Sequence, residues 1–318
     1  MDMYQKRKMR AEKKKNENSN ENQSKLNLSW YPGHMAKTKR QIIEDLKLID
    51  VIVEILDARA PKASINQDIK EHIKNKKRVV VLNKSDLADE EQNKKWVKYF
   101  ECNDIPAVLV NANSGSGIDE VIRKIEKIYI EDKETYLTKG RKGKSIRVLV
   151  LGIPNVGKSS FINRITKKAS AGVGNKPGVT KQKQWVRVNE NIELLDTPGI
   201  LWPKFENEEI ALKLAYIGTI KDDVLEKVEV AYHLLKHLLE NEMDKVLQRY
   251  SLKKEEVQEE LSNEERMENE NILEIMYKIG KKRGAIVSGG RIDEEKVANI
   301  IIEDFRSGKL GRITLEKI

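Results

Sequence analysis

Gly152-Ile153-Pro154-Asn155-Val156-Gly157-Lys158-Ser159 has the composition and spacing of a phosphate loop. It follows the apolar run IRVLVLG at 146–152 and opens a helical pattern near Gly157, the context that separates a working phosphate loop from a chance glycine-rich turn. Glycines let successive backbone N–H groups curl around an anion, and the helix start adds positive potential. Pro154, Asn155, Val156, Gly157 and Ser160 line such a loop. Lys158 bridges the β and γ phosphates, and Ser159 is a ligand for Mg²⁺, an ion that keeps its waters and takes few protein ligands. Downstream, LLDTPGI at 194–200 places Asp196 at a strand end, where it binds Mg²⁺ through water, and Gly199 where its N–H meets the γ-phosphate. Thr180, in PGVT between these two elements, is the candidate switch threonine that closes over the metal when a γ-phosphate is present.

A second constellation reads the base. Asn83-Lys84-Ser85-Asp86 closes the run RVVVLNK at 78–84. Asp86 accepts two hydrogen bonds from the guanine N1–H and exocyclic amine, a donor pair adenine lacks. Asn83 ties the loop to the phosphate loop, and the Lys84 stem covers the base. The next strand ends in NANSGSG, where Asn111 and Ala112 stand beside the base and the Ala112 N–H faces the guanine O6. In ordinary GTP-binding proteins the phosphate loop precedes N-K-x-D; here it follows. A sheet tolerates that rearrangement, because joining helix 117–131 to strand 146–152 needs only a linker, and the polar stretch 132–145 is one. Both motifs therefore stand, in a rotated chain.

The elements that position them alternate. A helix from Met35, with apolar residues at 42, 43, 46 and 49, precedes a buried-strand run at 51–56 ending at Asp57. Helices at 65–75, 89–101 and 117–131 separate strands at 78–84, 107–112 and 146–152; two more strands fit 184–188 and 192–196. This alternation predicts an α/β fold with a doubly wound, mostly parallel sheet. Beyond about residue 206 strand runs stop. Val228, Ala231, Tyr232, Leu235, Leu238 and Leu239 follow helical spacing, and helices also fit 208–219, 269–281 and 293–306. The division expected is a disordered basic arm over 1–27, a GTPase domain over 28–205 and a smaller all-helical domain over 206–318.

Composition limits the partners. The 318 residues carry a net charge of +9 with one cysteine, Cys102, so no internal disulfide forms. A reducing, cytoplasmic location fits. No apolar run is long enough to span a bilayer. Residues 1–28 hold eight Lys/Arg and four Asp/Glu without an apolar stretch, which excludes a secretory signal. That arm serves as a solubilising tail or touches nucleic acid. Lys278, Lys281, Lys282, Arg283, Arg291, Arg306, Lys309 and Arg312 form a candidate RNA face, with an ordinary solvated face as the alternative. Two other functions compete: a GTP-dependent signalling module that binds protein without RNA, and an ATP-using phosphotransferase, against which Asp86 argues.

The rotated order, together with WYPGHM, LDARAP, NKSD, GIPNVGKSS, PGVT and DTPGILWPKFE, resembles the circularly permuted GTPases of the YlqF/RbgA family, ribosome biogenesis GTPase A. The resemblance spans about residues 28–318. It implies GTP hydrolysis stimulated by the ribosome and a role in late assembly of the large subunit. The implied partners are the large-subunit precursor, rRNA and ribosomal proteins, with the protein a monomer off the ribosome. The family lacks the glutamine that many GTPases place after D-x-x-G, and Ile200 stands there in this chain. The resemblance gives the water-positioning role to His34; read from the residues alone, a histidine after Pro-Gly is equally a loop or capping residue. Asn155 matches the asparagine of potassium-stimulated GTPases, which implies K⁺ near the β and γ phosphates. Asp57-Ala58-Arg59 matches a family motif and reads as structural.

Overall fold

The computed structural model describes residues 33–131, 145–169, 184–196, 207–220, 226–264 and 266–318. The basic arm, the linker 132–144 and both switch segments, with Thr180 and Gly199, lie outside the described residues, as do the side chains of His34 and Asp196. His34 belongs to the first turn of α1 (Gly33–Asp45), whose later part buries Ile42.

Six strands form one sheet: β1 (Val51–Asp57), β2 (Lys77–Asn83), β3 (Ala107–Val110), β4 (Ile146–Leu151), β5 (Gln184–Arg187) and β6 (Ile192–Asp196), in spatial order β3-β2-β1-β4-β6-β5. β1 runs parallel to both β2 and β4, and β4 parallel to β6; β5 pairs with β6 antiparallel. Every residue of β1 is buried, as a central strand covered on both faces requires. Its one glutamate, Glu54, is charge-paired with Arg78 of β2 at 3.2 Å. Burial nonetheless pushes the Glu54 carboxyl up, against the pull of Arg78. The strand order changes direction between β1 and β4, and in open α/β sheets ligands settle outside the carboxyl ends near such a switch point.

The connecting helices are α2 (Gln67–Ile73), α3 (Glu90–Glu101), α4 (Ile118–Glu131) and α5 (Lys158–Ala169). Short polar side chains start two of them: Asn66 accepts from Asp68 N–H and Asp89 from Gln92 N–H. Trp96 and Phe100 of α3 pack with Leu56, Val80 and Leu82 in a small cluster of their own.

The helical part holds α6 (Glu208–Tyr216), α7 (Lys227–Asn241), α8 (Met243–Tyr250), α9 (Lys254–Leu261), α10 (Glu268–Lys282) and α11 (Glu294–Arg306). The helices expected there are present. α8 and α9 were not foreseen: each is eight residues long, α8 carries only a single helical repeat of apolar residues (Met243, Val246, Leu247 and Tyr250), and α9 has only Val257 and Leu261. The far end of the 206–318 span packs back on the preceding part of the chain. One apolar cluster runs from the sheet through these helices to Leu315, and the last residues return to the GTPase part. Ile313 N–H donates to Leu87 O at 2.9 Å and Leu315 N–H to Arg59 O at 2.7 Å. Trp96 Nε1 donates to Glu316 O at 2.8 Å. The Glu316 carboxylate accepts from Lys62 N–H at 2.6 Å and Ala63 N–H at 3.2 Å. Residues 310–318 are thus a strap over the base-reading side.

Candidate functional site

At their carboxyl ends the strands deliver Asp57 (β1), Asn83 (β2), Asn111 (after β3), Gly152 (after β4) and Asp196 (β6) to one edge of the sheet. A cleft of about 480 Å³ opens there. Its walls include Asn83, Lys84 and Asp86 from one loop, Asn111 to Asn113 from the next, and Asn155, Gly157, Lys158, Ser159 and Ser160 from the phosphate loop. Residues some 70 positions apart in the chain thus share one cavity, of the size that small ligands occupy.

Asn83 is the joint. It is 2% exposed, and both ends of its amide are used. Nδ2 donates to Val156 O at 2.7 Å, and Oδ1 accepts from Ala112 N–H at 3.0 Å. The tie between base loop and phosphate loop expected of Asn83 is therefore present. The Ala112 N–H is already engaged, so a base oxygen would share that donor. Gly157 makes the approach possible: its φ is +93°, and a Cβ there would lie 2.2 Å from Asn83 Nδ2.

Lys84 and Asn155 both hold the left-handed backbone conformation, with φ of 60° and 61°. For such residues this costs on the order of 1 kcal/mol, and the strain is stored where a site needs it. They meet: Lys84 Nζ donates to Asn155 O at 2.8 Å. The same ammonium lies 2.9 Å from Asp57 Oδ2. Asp86 is exposed at the mouth of the cleft. Lys158 and Ser159 occupy the first turn of α5, a helix start whose dipole adds positive potential at the cleft. Pro154 and Val156 complete the loop, with Val156 buried.

Several supporting residues carry no motif. Arg164, one and a half turns into α5, donates through Nε to Ala112 O at 3.4 Å and through Nη2 to Asn113 O, fastening the second base loop to the phosphate-loop helix. Asn93 of α3 donates to Ser85 O at 2.9 Å. Arg312 of the strap donates to Ala88 O at 2.9 Å and Ser85 O at 3.0 Å. Asp57 and Arg59, read as structural from the sequence, form a buried bidentate pair at 2.9 and 2.8 Å. Burial opposes ionisation of Asp57, but Arg59 and Lys84 outweigh it and hold the carboxyl well below the usual range.

Several side chains of the candidate RNA face also make contacts within the protein. Lys278 donates to Glu256 O and pairs with Glu260, and Arg283 donates to Arg249 O and stacks over Tyr250. Arg306 donates to Tyr216 O and Ala215 O, and Arg312 holds the base loop. These side chains satisfy carbonyls that helix ends and turns leave open. Lys281, Lys282, Arg291, Lys309 and Arg312 are exposed, as are Ile286 and Val287, with Lys309 3.7 Å from Asp304.

Among the described residues no helix is long and apolar enough to cross a membrane. Among them, too, no cluster of three or more His, Cys, Asp or Glu could hold a metal. An Mg²⁺ held by one hydroxyl, water and phosphate oxygens needs no such cluster, and Ser159 opens on the cleft as that mode requires.

Comparison with known proteins agrees with this geometry. A family model described as 50S ribosome-binding GTPase matches residues 147–276. The match starts at β4 and leaves the base-reading residues outside, as a rotated order demands. Ribosome biogenesis GTPase A of Bacillus licheniformis is 43% identical over 290 residues, covering 91% of this chain and 98% of that protein. The protein of the same name from Thermotoga maritima is 30% identical over 293 residues, covering 91% and 94%. The crystal structure of GNP-bound YlqF from T. maritima superposes with a TM-score of 0.60 at 26% identity, covering 88% of this chain and 98% of that one.

Proposed function

The chain belongs to the ribosome biogenesis GTPase A family, and from that membership we propose how its circularly permuted site works. The protein is a GTP hydrolase acting in ribosome assembly. In the reading proposed here, Asp86 selects guanine, Lys84 and Asn83 hold the base loop on the phosphate loop, and the 152–159 backbone with Lys158 holds the phosphates. Ser159, Thr180 and Asp196 would hold Mg²⁺, which would neutralise phosphate charge during transfer. Gly199 and Thr180 would sense the γ-phosphate, and His34 would position the attacking water. Asn155 would hold K⁺; its amide nitrogen donates to Gly218 O at 2.6 Å, which leaves the side-chain oxygen to offer a cation.

The observation that carries this reading is the bridge from Asn83 to Val156 and Ala112, which draws base and phosphate readers into one cleft. The large-subunit precursor, with its rRNA and ribosomal proteins, is the partner in this proposal, met by a monomer in the cytoplasm. The surface offered to rRNA is the exposed part of the basic list, Lys281, Lys282, Arg291 and Lys309. The deciding experiment is the GTPase rate of the full chain with and without large-subunit particles, with Lys158→Ala as the blank. Stimulation by the particles in the wild type and not in the blank is expected. Equal rates with and without particles would refute the partner, and GTP turnover by the blank would refute the phosphate assignment.

A further inference from the structure

Asp57-Ala58-Arg59 has no part in reading base, phosphate or metal, yet it places two charged side chains in the interior. Arg59 is 2% exposed. Burying an ion pair is costly in desolvation, so its place in the fold needs a reason beyond stability. The hydrogen bonds around it form a closed path. Lys84 Nζ of the base loop reaches Asp57 Oδ2 and, on its other side, Asn155 O of the phosphate loop. Arg59 clasps Asp57 and donates from Nη1 to the backbone oxygen of Arg306, at the end of α11, at 3.3 Å. Its guanidinium also stacks over Phe305, 5.3 Å from the ring centre.

From Arg306 the path turns back. Its guanidinium donates through Nε to Tyr216 O at 3.1 Å and through Nη2 to Ala215 O at 2.8 Å, gripping the end of α6. Two residues on, Gly218 O accepts from Asn155 Nδ2 at 2.6 Å. Gly218 has φ +78°, and a Cβ there would lie 3.2 Å from the Arg306 guanidinium carbon. The ring begins and ends on Asn155, the strained residue of the phosphate loop. It passes through the base loop, the Asp57–Arg59 turn and two helices of the helical part. Arg306 also lines the nucleotide cleft.

We propose that Asp57, Arg59 and Arg306 are positioning residues that lock the phosphate loop and Lys84 to the 215–218 turn, making that turn a part of the nucleotide site which tightens when the loop is filled. The proposal rests on the cleft being the nucleotide site, and it adds the route by which occupancy reaches the helices. A loop fixed by phosphate holds Asn155 still, and Asn155 holds Gly218. The turn is the element whose order both the cleft and α11 bias.

Two measurements on the full chain test it. In hydrogen exchange, the amides of Ile217, Gly218 and Thr219, which close the turn on Lys213, Ala215 and Leu214, are expected to slow when GDP is added. Asn155→Ala is expected to abolish that response. An unresponsive turn in the wild type, or an intact response in the variant, overturns the proposal. The second measurement is release of N-methylanthraniloyl-GDP. Asn155→Ala and Arg306→Ala are each expected to speed it about fivefold, the size of one hydrogen bond, and the double variant no more than the larger single effect. Arg306→Lys keeps the charge at the cleft but loses the fork, so it is expected to match Arg306→Ala. Additive effects, or a lysine variant like wild type, would reduce Arg306 to a positive charge near the phosphates. The Asp86→Asn variant tests base reading separately, so a failure of the cleft assignment is distinguishable from a failure of the ring.

Discussion

Asn83→Ala is the sharpest test of the cleft. The side chain is buried at the end of β2 and makes two bonds to backbone groups of different loops, at 2.7 and 3.0 Å. Alanine leaves the Val156 carbonyl and the Ala112 N–H without that partner. An orphaned buried group costs roughly 1–3 kcal/mol, so the pair costs roughly 2–6 kcal/mol. The cleft is open to water on one side, and a water can take over part of each bond. The loss therefore falls near the lower end, about 2 kcal/mol divided between folding stability and binding, so GDP affinity falls by up to roughly 30-fold. Asn83→Asp keeps the size but turns an oxygen onto the Val156 carbonyl, and it costs at least as much. The assay is titration of the full chain with N-methylanthraniloyl-GDP, beside urea unfolding to measure the stability share. An Asn83→Ala protein with wild-type urea midpoint and GDP affinity within a factor of two would refute the assignment of Asn83 as the joint.

Asp86→Asn replaces an acceptor facing two guanine donors by a mixed group, and it is expected to shift preference from guanine to xanthine nucleotides by up to about 10⁴; competition between GTP and XTP reads this out, and unchanged GTP binding would sink the 83–86 assignment. His34→Ala is expected to lower the rate of hydrolysis while GTP binding stays near wild type, because water positioning matters in the transition state; equal loss of both would make His34 structural. Acid stability follows from Asp57. Its folded carboxyl is held below the unfolded value, so the stability it contributes is present above pH about 4 and is lost as pH falls from there toward the folded value. Urea midpoints measured from pH 5 to pH 2.5 are expected to fall in the wild type and to fall less in Asp57→Asn, which is itself destabilised by roughly 3–5 kcal/mol because Arg59 is left buried without its partner. Parallel pH profiles would exclude Asp57 as the source.

The sequence was most legible where chemistry is local. A phosphate loop is eight residues whose geometry follows from their own glycines, lysine and helix start, and it stands where read. Asn83 was readable as a tie because a strand-end amide can donate and accept at once, and it bonds Val156 O and Ala112 N–H. The strands followed from continuous apolar runs such as VIVEILD, and only their ends moved by a residue or two. What stayed hidden depends on separations no local pattern reports. Arg59 and Arg306 are 247 positions apart, and Asn155 and Gly218 are 63 apart. Arg164 looks like any solvated helix arginine. The strap residues GRITLEKI prompted no reading of their own, since a short segment gives no sign of what it lies on. The basic list near the C-terminus was legible as charge but not as contacts, for a related reason. Arginine satisfies stray carbonyls as readily as phosphates, and the letters do not distinguish the two uses.

The rotation of the chain explains why the helical part is clamped at two places. Re-cutting a G domain puts the new carboxyl end after the second switch, so the chain leaves the sheet from β6 on the phosphate side. It enters α6, whose end meets Asn155 through Gly218. It then returns through α11 and the strap to the opposite side, where Ile313, Arg312 and Thr314 bond to Leu87, Ser85, Ala88 and Asp89 next to Asp86. The helices thus touch the phosphate reader at one end and the base reader at the other. In an unpermuted domain the chain beyond the second switch continues into the same sheet and cannot span the cleft this way. The two readers are already joined through Asn83, so a nucleotide held between them is expected to stiffen the span the helices bridge, the two-state linkage by which the helical part would respond to the cleft.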